Sequence, residues 1–347
     1  MPTGGPPIFV VGYQRSGTTL LQSLIGAHPH IAAPPELHFI LRVAHLATVF
    51  GDLAVDRNLR RALHEALNPP ADLFADAGFD EDVIFESARA GPRTYAGLFD
   101  AILQDYADRE GKPRWSEKTP SQRLGDIYGL FPDALAVHIL RDPREIVASN
   151  LQMPWERRSA AVIARAVRNF TLGSIRRGRR AGPGQYMQVR YEDLTRDPES
   201  VLRQVCVFLG EEYDENMLDP ARRGGAIFRV AEWQHRAAEP VATPQSMNWP
   251  KVLSRVDRLR VQAFTSELLE PFGYKAPSRA ARTLAPLARA QVALRYAIPD
   301  TYARMTRPKT PQQRYDAVQR LVSDGTQNLP SPRAKVSAPG PRQRGPR

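Results

Sequence analysis

Arg15, Ser16, Gly17, Thr18 and Thr19 put a cation, three hydroxyls and a glycine into five consecutive positions, with Gly12 a short way upstream. Such a set suits the holding of an oxyanion. Glycine lets the backbone turn tightly, and N–H groups gathered at a helix N-terminus present partial positive charge. A second constellation is Arg141 with Ser149, eight residues on. A planar guanidinium and a hydroxyl so placed can grip a phosphate from two sides. Lys118 adds a third cation, and Glu36, after Pro34 and Pro35, adds a carboxylate at a loop-to-helix junction. In that place the helix dipole alone would favour a solvated carboxylate, so the local pattern leaves the role of Glu36 open.

The elements that must position these residues follow from the hydrophobic pattern. Ile8 to Val11 predicts a short buried strand, and residues 19–25, with Leu20, Leu21, Leu24 and Ile25, an amphipathic helix. Residues 134–140 are nearly all apolar, as a parallel strand covered on both faces should be. Asp142, Pro143 and Glu145 then predict a helix start with a capping box, so Arg141 projects from the strand end and Ser149 lies about two turns into the helix. Trp115 and its neighbours predict a strand that turns into a loop at Lys118-Thr119-Pro120, where open α/β sheets present functional groups. Helices are expected over 56–67, 95–109, 162–172 (ending at the basic run Arg176 to Arg180), 197–209 and 252–269, and a strand over 185–194. His138, within a strand, reads as a core histidine. The expected fold is α/β, a P-loop-like parallel sheet flanked by helices.

The spacing of Gly12 and Gly17 is that of a nucleotide-hydrolase P-loop, but Thr18 stands where that motif requires Lys. A kinase or NTPase would also need a magnesium-binding acid after a strand, for which Asp142 is the candidate. Arg15-Ser16-Gly17-Thr18-Thr19 instead resembles the phosphosulfate-binding loop of sulfotransferases that use 3'-phosphoadenosine-5'-phosphosulfate (PAPS). Two more landmarks follow in the expected order: Arg141 with Ser149 resembles the family's 3'-phosphate motif, and Tyr191-Glu192-Asp193-Leu194 a motif whose Tyr contacts adenine. The resemblance covers about 270 residues. It implies that Ser16 to Thr19 and Arg15 hold the 5'-phosphosulfate, that Lys118 faces the bridging oxygen, and that 3'-phosphoadenosine-5'-phosphate (PAP) is the product. It also implies that Glu36 is the base, as in the tyrosylprotein and bacterial carbohydrate branch, because Pro120 stands where aryl and steroid sulfotransferases carry a His. His38 falls near a substrate-side position, and residues 229–249 in a stretch that closes over the cofactor. The implied acceptor is a hydroxyl of a small molecule, carbohydrate or lipid; no metal is required, since cations come from side chains.

Composition bounds the rest. The 347 residues carry a net charge of +11, but residues 275–347 hold 15 Lys and Arg against 3 Asp and Glu, a net of +12, leaving about −1 before them. The positive charge therefore belongs to the tail, which weakens a nucleic-acid-binding reading of the α/β region. The expected division is 1–274 as the α/β domain, 275–328 as a basic helical extension and 329–347 as a disordered tail. A helix over 280–297, interrupted at Pro286, could touch a membrane surface. No run of 18 apolar residues and no signal-like segment is seen, and a single cysteine, Cys206, fits a reducing cytoplasm.

Overall fold

A computed structural model describes residues 4–34, 47–68, 78–120, 124–154, 156–219, 248–287 and 290. Five parallel strands, β1 (Ile8–Gly12), β2 (Ile31–Ala32), β3 (Arg114–Pro120), β4 (Leu135–Leu140) and β5 (Tyr186–Arg190), form one sheet in the order β2-β3-β1-β4-β5. β1 is central and every residue in it is buried. Its alternation divides the core: Phe9 and Val11 pack with α2 (Asp56–Leu67), α3 (Glu81–Ala90), α4 (Tyr95–Arg109) and α5 (Leu124–Leu130). Ile8 and Val10 face α1 (Thr18–Gly26) and α9 (Pro198–Leu209) on the other side. Burial of side chains this size is worth roughly 1.5–3 kcal/mol each, which makes β1 an anchored base for the loop that follows it.

A third cluster joins α6 (Pro143–Leu151), α7 (Ala160–Ala181) and α10 (Arg255–Thr265) around Tyr13, immediately beyond β1. α1 enters its own packing closely, since a Cβ on Gly26 would lie 2.3 Å from that of Ala33.

The structure corrects several expected elements. α7 does not stop before the arginine run but continues through Arg176 to Arg180 as far as Ala181. Arginine is a good helix former, and the helix needs Gly178 there: a Cβ would fall 2.3 Å from the Tyr186 ring. Tyr191 to Leu194 is not the end of β5 but the start of a short helix, α8 (Tyr191–Arg196). The helix expected over 252–269 is shorter, Arg255–Thr265, followed by 3-10 turns. Residues 279–287 are helical, and residues 291–347 lie outside the described part. Among the described residues no helix is long and apolar enough to cross a membrane.

Candidate active site

β1 ends at Gly12, and the chain turns through Tyr13, Gln14, Arg15 and Ser16 before α1 begins at Thr18. Glycine is needed at both ends of that turn. A Cβ on Gly12 would lie 2.6 Å from Thr18 Cγ2, and one on Gly17, whose φ is 100°, would lie 2.5 Å from Tyr191 Cδ2. Arg15 has a φ of 69°, the one positive value among the described non-glycine residues. That conformation costs a residue with a Cβ about 1–2 kcal/mol, so the surroundings must hold it. The Ser16 N–H and hydroxyl, at 3.1 and 2.5 Å, both donate to Tyr13 O, so Ser16 holds the turn, where the sequence suggested that its N–H faces the anion. Thr18 and Thr19 open α1, and the first N–H groups of a helix have no partner within it. The N-terminus of α1 thus presents the donors that an oxyanion requires.

The three cations predicted from sequence come together here. Lys118, on β3 and only 9% exposed, donates from Nζ to Thr19 Oγ1 at 3.2 Å. Arg141 follows β4, and its Nη1 donates to the main-chain oxygen of Arg15 at 2.9 Å. Arg15 Nε donates to Ser149 Oγ at 3.2 Å, and Ser149 lies on α6 as expected. Tyr191 braces the two halves: a Cβ on Gly17 would lie 2.5 Å from its ring, and the Arg141 guanidinium carbon lies 4.4 Å from its ring centroid. Arg141 Nε is buried and has no hydrogen-bond acceptor among the described residues. A buried donor without a partner costs about 1–3 kcal/mol, so an anion brought to this side of Arg141 meets an unmet demand. The helix N-terminus and this donor together fit a ligand with two separated anionic groups.

Acidic residues hold the frame, Asp142 in the capping role expected of it and the others in roles the sequence did not show. Asp142 caps α6, accepting from Arg144 N, and also takes the buried Arg144 guanidinium with Nη2 to Oδ2 at 2.6 Å. Glu145 does not complete the capping box. Its Oε1 accepts from Asn248 N and Trp249 N at 2.7 and 3.0 Å, and the Asp142 N–H goes to Glu192 Oε1. Glu192 Oε2 in turn accepts from Tyr274 OH at 3.0 Å, tying the segment after α10 to the strand that presents Arg141. Gln14 and Asn150 were also missed. Their adjacency to Arg15 and Ser149 was the only local signal. His138 is a core residue as expected: burial lowers its pKa to about 3, which keeps it neutral, and its Nδ1 lies 2.6 Å from Tyr186 OH.

Glu36, His38 and residues 229–247 lie outside the described residues. Among the described residues one group with metal-ligand spacing, unforeseen in the sequence, does occur: His28, His30 and Glu211. It sits at the far end of α1 from the cradle and is engaged otherwise, with His28 Nδ1 accepting from His30 N, His28 Nε2 on Glu212 O, and Arg114 paired with Glu211.

Comparison with known proteins agrees with the geometry. A model of the sulfotransferase family matches residues 6–215. The nodulation protein NoeE of Sinorhizobium fredii is 29% identical over 251 residues, 65% of this chain and 52% of that protein. The ω-hydroxy-β-dihydromenaquinone-9 sulfotransferase Stf3 of Mycobacterium bovis is 25% identical over 59% of this chain and 63% of its own. The chain thus spans between half and two thirds of these curated relatives. Among solved structures, the sulfotransferase domain of the Synechococcus PCC 7002 olefin synthase aligns with a TM-score of 0.58 at 22% identity, covering 80% of this chain and 98% of that one. The sulfotransferase domain of the curacin biosynthetic pathway gives a TM-score of 0.55 at 19% identity over 79% and 99%. With more than half of its length matched by the family model and its parallel sheet shared with these domains, the chain belongs to the sulfotransferase family.

Proposed function

We propose that the protein transfers a sulfuryl group from PAPS to a hydroxyl of a small-molecule, carbohydrate or lipid acceptor, releasing PAP. The observation that carries this reading is the direct contact of the two anion grips, Arg141 Nη1 on Arg15 O and Arg15 Nε on Ser149. A single nucleotide phosphorylated at both ends of its ribose can reach both. The N-terminus of α1 at Gly17, Thr18 and Thr19, with Arg15, would hold the 5'-phosphosulfate; Arg141 and Ser149 would hold the 3'-phosphate, and Tyr191 would lie against adenine. In the transfer, the acceptor oxygen forms a bond to sulfur as the bond from sulfur to the bridging oxygen breaks. Lys118 would neutralise charge growing on that bridging oxygen, and Glu36 would take the acceptor proton. The positive charge comes from side chains, so this chemistry requires no metal. His38 is assigned to the acceptor side. Relatives named for ω-hydroxy-β-dihydromenaquinone-9 and for protein tyrosine support a hydroxyl acceptor.

A P-loop kinase is disfavoured by one specific contact: Asp142, the acid it would need for magnesium, is 5% exposed and locked on Arg144. Incubation with sulfur-labelled PAPS and pools of hydroxylated metabolites, glycans and lipids tests the proposal. The expected result is labelled product with an equal release of PAP. Hydrolysis of ATP without label transfer would support the kinase or NTPase reading instead.

A further inference from the structure

Among the described residues, three side-chain hydrogen bonds join the cradle loop to the Arg141 side of the site. Arg15 Nε donates to Ser149, Arg141 Nη1 donates to Arg15 O, and Gln14 Nε2 donates to Asn150 Oδ1 at 2.6 Å. The first two are made by groups that a bound nucleotide would itself engage, so ligand and protein compete for those donors. Gln14 to Asn150 alone uses nothing assigned to the ligand. Its anchor is firm: Asn150 is 1% exposed, and its Nδ2 donates to Ile146 O within α6 at 2.8 Å. Gln14 immediately precedes Arg15, the residue held at a φ of 69°, and Asn150 immediately follows Ser149. The bond therefore links the residue next to one grip with the residue next to the other, across 136 positions of sequence.

The geometry points to Gln14 and Asn150 as a positioning pair that fixes the spacing between the 5' and 3' anion subsites and so gives the site its preference for a doubly phosphorylated adenosine. This rests on the reading of the nucleotide given above. Each subsite is built without the pair, one from the N-terminus of α1 and Arg15, the other from Arg141 and Ser149. What the pair supplies is their register, which only a ligand spanning both subsites can sense. Loss of the bond should therefore leave monophosphate binding nearly intact and weaken PAP selectively.

The test is calorimetric titration of the full chain with PAP, adenosine 5'-monophosphate and adenosine 3'-monophosphate. It uses the parent, Gln14→Met, Asn150→Ala and the double variant. Gln14 is exposed and Met has its length without the donor, so this variant folds even if Asn150→Ala does not. The preference for PAP over either monophosphate should fall at least about fivefold in Gln14→Met, the size of a typical coupling between contacting groups. Each monophosphate should stay within about twofold of the parent, and the double variant should lose no more than the single ones. An unchanged preference overturns the inference, as does a parallel fall in all three ligands or additivity in the double variant. A parent that does not prefer PAP overturns the nucleotide assignment itself, a separate failure visible in the same titration.

Discussion

Glu36→Gln is expected to lower turnover about 10²–10⁴-fold while PAP affinity stays close to that of the parent. The substitution keeps the size of the side chain and removes its ability to accept a proton. Described contacts fix the chain as far as Pro34. Ser116 Oγ donates to Ala32 O at 3.1 Å, and Gln22 Nε2 lies 3.4 Å from both Pro34 O and Ser116 O. Pro34 is thus tied alongside β3, two residues before Glu36 and level with a residue two positions from Lys118. The resemblance to sulfotransferases puts Pro120 where the aryl and steroid branch carries its His, which is why the proposal assigns the base to Glu36. Steady-state rates with a labelled acceptor, together with PAP titration, check this. Turnover within a few-fold of the parent would rule out Glu36 as the base, and joint loss of turnover and PAP affinity would make it a structural residue.

Lys118→Met is expected to lower kcat by about 10²–10³-fold, the usual consequence of removing one preorganised group from the point where charge develops. Lys118 is nearly buried and reaches Thr19, the second residue of α1, so its ammonium is held at the mouth of the cradle on a side chain with little freedom. Methionine fills a similar volume without the charge. PAP lacks the sulfuryl group, so its affinity should fall much less than kcat. A rate constant measured in single turnovers at saturating PAPS separates the two effects. A variant within about fivefold of the parent would remove Lys118 from the transition state.

The cradle and the strands beside it were more legible in the sequence than the contacts that brace them. The cradle could be read because glycines at Gly12 and Gly17 answer a local steric demand, visible in the structure as the positions where a Cβ meets Thr18 and Tyr191. β4 could be read because a strand covered on both faces needs an unbroken apolar run. α7 was cut short in the sequence reading because four arginines look like a solvated turn, whereas the helix is held by its packing on α6, α10 and the Tyr186 ring. The capping role of Glu145 failed for a related reason. A partner more than 100 residues away, at Asn248 and Trp249, takes the carboxylate, and Glu192 fills the vacancy at Asp142. Gln14 with Asn150 belongs to the same class. Neither residue has a pattern of its own, and the bond exists only once β1 and β4 lie side by side.

The central claim is that one nucleotide is gripped at two anionic ends, and calorimetric titration of PAP against adenosine 5'-monophosphate tests it most directly, in the parent and in Arg141→Ala. Charge-assisted hydrogen bonds from the guanidinium should make PAP tighter by about 2 kcal/mol or more in the parent, roughly 30-fold. In Arg141→Ala most of that preference should vanish. Equal affinity for the two nucleotides in the parent, or the same preference in both proteins, would contradict the account.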